Sequence, residues 1–250
     1  MRALTASEKL RVWERGRRQT PVRRALLLLA AESPQMPLGE ITRFSIGQRD
    51  ARLLTLRELM FGSRIQGIAA CPQCGERLEL MFDVAEIRTS TGETELTSGE
   101  PHLLEFDGYE VRFRLPNSND VEAIAACQNV EAAREQLLAR CTLEIKRGEK
   151  KAEKSAAQLP SKVVAALVEK MADADPQANV QLSLTCPACE HIWSAAFDIA
   201  SFLWSEINDW AERILREIHV IASAYGWSES DILEMSSERR GFYLEMIGGA

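Results

Sequence analysis

The stretch "CPQCGERLELMFDVAEI", residues 71–87, returns in altered form as "CPACEHIWSAAFDIASF", residues 186–202. Aligned without gaps at Cys71 and Cys186, Gln66 falls on Gln181, Pro72 on Pro187 and Cys74 on Cys189. Phe82 falls on Phe197, Asp83 on Asp198 and Ala85 on Ala200, while Ile65 meets Val180 and Val84 meets Ile199. The agreement runs well beyond the CxxC on both sides. Each copy reads as strand, knuckle, strand.

A CxxC knuckle sets two thiolates on one tight turn, and zinc takes four ligands in a tetrahedron. One knuckle supplies half a shell; two facing knuckles complete it with Cys71, Cys74, Cys186 and Cys189. That arrangement is a split zinc ribbon, and the pseudo-symmetry of the copies becomes the symmetry of the site. Phe82 and Phe197 are then expected as a matched pair beside the metal. The gap between the halves is longer than is usual in a ribbon, so the hairpin and helices between them read as one insertion. A filled four-cysteine shell leaves no open position, which makes the Zn2+ structural and part of the folding free energy. It would also tie the N-terminal helices to the C-terminal ones. Two other readings stay open: four bare thiols, and a thioredoxin-like redox pair, which the lack of a clear βαβ pattern disfavours. His191 could compete as a ligand, but four cysteines already fill a tetrahedron.

The chain has 250 residues, a formal charge of -7 and ordinary apolar content. That charge argues against a general nucleic-acid binder. The charge is unevenly spread: Arg2, Lys9, Arg11, Arg15, Arg17, Arg18, Arg23 and Arg24 face only Glu8 and Glu14 in residues 1–24. This basic arm suits docking on an acidic partner surface, or it is a solvated mobile terminus. The apolar run Ala25–Ala31 is too short, and its basic flank too long, for a secretory signal. No segment approaches the roughly 18 apolar residues needed to cross a bilayer. The expected compartment is the cytoplasm, where CxxC pairs favour metal or redox chemistry over structural disulfides.

The expected fold is α+β and mostly helical, with the split ribbon and an inserted hairpin. Its segments are residues 1–62 (basic arm and helices), 63–90 (first half-ribbon), 91–175 (inserted hairpin and helices), 176–200 (second half-ribbon) and 201–250 (C-terminal helices). Thr20-Pro21 starts a helix running to about Ser33. A second helix, with Leu53, Leu56, Leu59 and Met60 at helical spacing, ends at Gly62, and Arg49, Arg52 and Arg57 fall mostly off its apolar face. Asp107-Gly108 marks a hairpin over His102–Leu115. Helical sequence follows from near Asp120 to Cys141, with a break near Asn129. Cys127 and Cys141 read as buried small hydrophobes. Lys146–Pro160 reads as an exposed loop or a frayed helix end, and Ser161 caps a helix to about Ala172. A long amphipathic helix then runs to Gly226. Ser228, with Asp231, caps a short helix over Glu229–Glu234, Trp227 and Ile232 are placed to pack as a staple, and a last helix covers Glu238–Met246.

No nucleophile–base–orienter set, glycine-rich phosphate loop or paired carboxylates stand out. The expectation is therefore a non-enzyme. The C-terminal segment is dense in aromatics, most of which read as core; Trp227, Arg239, Arg240 and Tyr243 are the candidate contacts to a partner subunit.

Several stretches together carry a resemblance: "IGQRDARLLTLRELMFG" followed by "CPQCGERLEL", then "YEVRFRLPNSND", "CPACEHIW" and "WAERILREIHVIASAYGWSESDILEMSSERRGFYLEMI". In this order the chain resembles the baseplate proteins of contractile-tailed phages and extracellular contractile injection systems, related to the baseplate hub assembly chaperone family. The resemblance leans most on Trp210–Ile247 and covers most of residues 20–250. It implies a structural or assembly role among baseplate or hub subunits, cytoplasmic during assembly and then carried into the particle if the protein stays. It carries zinc ligation over to the four cysteines and implies no catalytic residue. The competing reading is a zinc-ribbon nucleic-acid adaptor. Against it, the stretch from Cys71 to Arg88 offers only Arg77 and Arg88 as basic residues.

Overall fold

Both ends of the chain meet in one helical unit, Met1–Pro34 with Ile199–Ala250, while Gln35–Asp198 forms a second unit. The structure is a computed structural model that describes residues 1–89, 101–148, 150–151 and 159–248. It is α+β and mostly helical, with three small antiparallel sheets among the described residues.

The basic arm, read either as a docking segment or as a solvated mobile terminus, is folded. Residues Ala6–Gly16 form helix α1, closed at its start by a capping box. The Thr5 hydroxyl accepts from Glu8 N, and the Glu8 carboxylate accepts from Thr5 N at 2.9 Å. Arg2 pairs with Glu8 at 2.7 Å and holds its carboxyl down at about 2. Thr20 caps α2 (Pro21–Glu32) as its sequence indicates. Both helices lie on α9 (Ile199–Tyr225), whose stripe of Leu203, Ile207, Trp210, Ile214, Ile218 and Ile221 is buried. The approach is close: a Cβ on Gly16 would sit 2.3 Å from the Trp204 ring. The Trp13 indole donates to Asn208 Oδ1 at 3.1 Å, Lys9 lies over the Trp210 ring and Arg24 over that of Trp204. Beyond Gly226, Ser228 and Asp231 form the capping box of α10 (Glu229–Glu234), which buries Ile232, and α11 (Ser237–Gly248) ends the described chain.

In the second unit, α3 (Leu38–Ile41) precedes α4 (Ile46–Phe61), which starts at a Ser45–Gln48 capping box and stops at Gly62. Here two expectations fail. Leu59 is 46% exposed, whereas Arg49 and Arg57 are buried at 6% and 2%. Periodicity misplaces them because their heads find partners inside. Arg57 donates to the carbonyls of Gly62 and Arg64 at 2.6 and 2.7 Å, and Arg49 pairs with Asp50 at 2.8 Å. Arg52 lies over the Phe44 ring at 4.3 Å.

The inserted hairpin is β3 (His102–Phe106) and β4 (Tyr109–Phe113), joined by Asp107 and Gly108 with φ of 50° and 75°. Positive φ at both central positions is the type I′ pattern, which explains the Asp-Gly pair. Two further strands, β5 (Thr142–Arg147) and β6 (Lys150–Lys151), extend this sheet in the order β3-β4-β5-β6. The expected loop from Lys146 is therefore strand at its start, where Lys146 pairs with Glu110 at 2.8 Å; residues 149 and 152–158 lie outside the described set. Asn117 caps α6 (Ser118–Ile124), which starts two residues before Asp120, and Asn129 caps α7 (Val130–Cys141). Helix α8 (Ser161–Ala174) follows, with Pro160 rather than Ser161 at the cap position. Val111, Phe113 and Ile145 pack with Leu138, Cys141, Val163 and Leu167 into the main core of this unit. Cys141 is buried as expected, and burial pushes its thiol up to about 11. Cys127 is not; it is half-exposed, and its thiol donates to Gln136 Oε1.

The sequence "NSND" sets up a buried charge. Asp120 is fully buried and accepts from Arg114, from Arg140 Nε at 2.8 Å and from Asn117 N at 3.0 Å. Burial alone would raise its pKa, but these donors prevail and hold it below its ordinary value. Such a group contributes stability above its unfolded pKa and loses it as pH falls through the lower folded one. Replacing Asp120 by Ala should cost about 3 kcal/mol in urea melts at neutral pH. Asp50 is the opposite case. Burial, with the like charges of Asp198 and Asp175, outweighs Arg49 and raises it to about 6. Its contribution is full below its unfolded value near pH 4 and is lost as pH rises through about 6. Asp50→Asn should therefore flatten that part of the stability–pH curve, measured by thermal melts between those limits.

Candidate metal centre

Strands β1 (Arg64–Ala70) and β2 (Arg77–Asp83) pair antiparallel, as do β7 (Gln181–Thr185) and β8 (Ile192–Ala196). Each pair is joined by a CxxC knuckle with the same hydrogen bonds. Cys71 N donates to Glu76 O at 2.8 Å, and Gly75 N to Cys71 O at 2.9 Å. In the second copy Cys186 N donates to His191 O at 2.9 Å, and Glu190 N to Cys186 O at 3.0 Å. The residue after the second cysteine turns left-handed in both, with φ of 78° at Gly75 and 58° at Glu190. Glycine adopts this freely; glutamate does so at a steric cost. The internal repeat thus extends to the turn geometry, even where the residue types differ.

The two knuckles face each other. The Sγ atoms of Cys71, Cys74, Cys186 and Cys189 all lie within 4.8 Å of one another. Cys71 and Cys189 are 3.7 Å apart, and Cys74 and Cys186 3.6 Å. A disulfide would need about 2.05 Å, so these are free thiols. Zinc–sulfur bonds of about 2.3 Å in a tetrahedron set sulfurs roughly 3.8 Å apart. The cross-knuckle distances fit that edge, and soft sulfur donors suit zinc. Cys71 and Cys186 are buried, Cys189 is half-buried and Cys74 is exposed. Leu78, Leu80 and Trp193 pack with the cysteines as a small apolar floor.

Four crowded sulfurs cannot all carry charge without a cation. At Cys71, burial opposes ionisation, but the backbone donors of Cys74 and Gln73 bring the thiol down to about 7. At Cys74, the Glu76 N–H favours the thiolate, but the neighbouring sulfurs and burial prevail and push it up to about 12. Cys189 is also raised: burial and its sulfur neighbours Cys186 and Cys71 outweigh the His191 N–H. His191 does not join the cluster; its ring stacks on Trp193 with centroids 6.0 Å apart.

Phe82 and Phe197 do meet, edge to face at 5.7 Å. They are not beside the sulfurs, however. Phe82 pairs with Ile65 near the open end of its hairpin, and Phe197 N bonds Val180 O beyond the end of the other. Roughly 3.3 Å per residue along a strand carries them away from the knuckles. All of this lies within the Gln35–Asp198 unit. The chain ends are joined by their own helix packing, not through the cysteines.

The candidate partner residues belong to the helical unit. Tyr225 and Trp227 stack at 4.6 Å, Tyr243 closes on Trp227 edge-on at 4.9 Å, and the Arg239 guanidinium lies over Tyr243 at 5.7 Å. Arg240 must be corrected. It is 6% exposed and turned inward, donating to Glu217 Oε2 at 3.0 Å and to Met235 O at 2.6 Å. Exposed apolar area nearby comes instead from Phe242 and Met246. Sequence reading also missed the floor residues Leu78, Leu80 and Trp193; their alternation within the flanking strands was the available signal.

Against protein-family models, residues 35–204 match the family described as T4 bacteriophage base plate protein. That span is well over half the chain and nearly coincides with the unit that holds the cysteines. Trp210–Ile247, on which the resemblance leaned most, lies outside it. No curated protein and no solved structure matches the chain.

The two left-handed positions give a paired test. A Cβ at Gly75 would meet no atom, so Gly75→Ala changes backbone strain alone and should cost about 1 kcal/mol. Glu190→Gly should lose no stability and gain up to about 1 kcal/mol. Thermal melts of the two variants should move in opposite directions.

Proposed function

Because the chain belongs to the T4 bacteriophage base plate protein family, we propose that it is a non-enzymatic structural or assembly subunit of a contractile, phage tail-like baseplate. The observation that carries this reading is the family match over 35–204, the span that contains both knuckles. Its working surface is protein–protein contact with neighbouring baseplate or hub subunits. No helix among the described residues is long and apolar enough to cross a membrane, in keeping with a subunit assembled in the cytoplasm and carried into a particle.

In this reading Cys71, Cys74, Cys186 and Cys189 hold a structural Zn2+. The metal would neutralise thiolates that cannot otherwise gather, and a closed shell of four sulfurs leaves no place for water or substrate. The residues' task is therefore mechanical. Each knuckle presents its sulfurs through the backbone bonds at Glu76 and His191, and the shell fixes the two hairpins in one register. Leu78, Leu80 and Trp193 shield one side of the sulfurs from solvent.

Two measurements test this. Full-length tagged chain recovered from producing cells should bring baseplate subunits with it after nuclease treatment. Recovery of nucleic acid alone, with steep salt dependence, would favour the adaptor reading. Independently, metal analysis should find one zinc per chain, and Cys186→Ser should lose most of the zinc and lower the melting temperature by roughly 10 °C or more. A parent chain without zinc, and a variant as stable as the parent, would remove the metal from the account.

A further inference from the structure

Six of the eight basic residues of 1–24 divide into two groups once the fold is known; of the others, Arg17 lies over the Trp13 ring. Arg2 is paired with Glu8, Lys9 lies over Trp210, and Arg24 lies over Trp204 while donating to Gly16 O at 3.0 Å. These three do internal work. Arg11, Arg15 and Arg18 differ: all are exposed, and none has a carboxylate within ion-pair distance among the described residues, although Arg11 Nε donates to Ser7 O of its own helix at 3.4 Å. Arg11 and Arg15 are one turn apart on α1, and Arg18 follows just past the Arg17 cap. The row spans roughly 10 Å at 1.5 Å per residue. Like charges at these spacings oppose the helix that carries them. The negative end of the helix dipole accounts for a cation at Arg15, in the last turn, but not for Arg11 in the middle.

We propose that Arg11, Arg15 and Arg18 form a docking stripe for an acidic protein surface on another baseplate subunit. The proposal rests on the baseplate reading and adds the surface and the chemistry of its partner. Charge complementarity selects the occupant. Planar guanidinium groups in a row match carboxylates set along a helix or strand. Protein is favoured over nucleic acid because the chain as a whole carries a charge of -7, which repels a polyphosphate. The stripe lies outside the family-matched span, which suits a contact particular to this chain.

The test uses the full-length tagged chain in producing cells, as wild type and as R11Q/R15Q/R18Q. Glutamine nearly matches arginine in helix propensity, so α1 should persist. An R213Q/R216Q chain, altered at exposed arginines of α9 that face Glu217 and Glu212, is the control. After nuclease treatment, the yield of baseplate subunits with the triple variant should fall about tenfold, and the wild-type yield should fall as ionic strength rises. The control should match wild type, and circular dichroism and zinc content should be the same in all three. An undiminished yield with a folded triple variant overturns the stripe and leaves the baseplate reading standing. Loss of the wild-type complex on nuclease treatment assigns the stripe to nucleic acid and overturns it too. If the triple variant does not fold, single Arg11→Gln and Arg15→Gln chains serve, and unchanged yields with both reject the proposal. A wild type that recovers no baseplate subunit removes the premise and the stripe together.

Discussion

The second unit depends on the convergence of sulfurs from two distant knuckles. Cys71 meets Cys189 at 3.7 Å and Cys74 meets Cys186 at 3.6 Å, so the start and the end of a long insertion are held at one point. Closing a loop costs entropy that grows only slowly with its length, which makes so long an insertion tolerable once an anchor exists. The anchor cannot be apolar packing alone. Each ribbon half is a two-stranded hairpin, marginal by itself in water. The floor of Leu78, Leu80 and Trp193 is small beside the separate core built on Val111, Phe113, Val163 and Leu167. In the proposed reading a four-thiolate metal shell would supply what that floor lacks, and the Phe82–Phe197 contact adds a second fastening at the other end of the hairpins.

This division organises the molecule. The family-matched residues hold the sulfurs, the hairpins and the inserted sheet. The chain ends form their own helical unit around α9, held by the Trp13–Asn208 bond and by cations laid over Trp204 and Trp210. It also carries the exposed Arg11 and Arg15 of α1 and the stacked group of Tyr225, Trp227 and Tyr243.

What was legible in the sequence was whatever is decided within a few residues. Asp107-Gly108 named its turn because only certain residues take positive φ in succession. Thr20 and Ser228 named helix starts because a side-chain oxygen reaches a backbone N–H one turn on. The sulfur cluster was legible over a long distance for a different reason. Its two halves repeat, and coordination chemistry demands that four ligands meet. The position of the phenylalanine pair was not, because pairing by alignment says which residues match but not how far along a strand they lie.

The arginines were the hardest to read, and they show where pattern stops. Arg57, Arg240 and Arg18 look alike in sequence, yet the first two are buried and the third is exposed. A guanidinium can be buried when acceptors left over by helix ends and turns converge on its donors. Gly62 and Arg64 supply them for Arg57, and Met235 with Glu217 for Arg240. The carbonyls belong to the ends of folded elements and Glu217 to the distant helix α9, so no window of sequence reveals them. Once they are placed, the same reasoning runs in reverse. An arginine without such acceptors, as at Arg15 and Arg18, stays at the surface, where water satisfies its guanidinium.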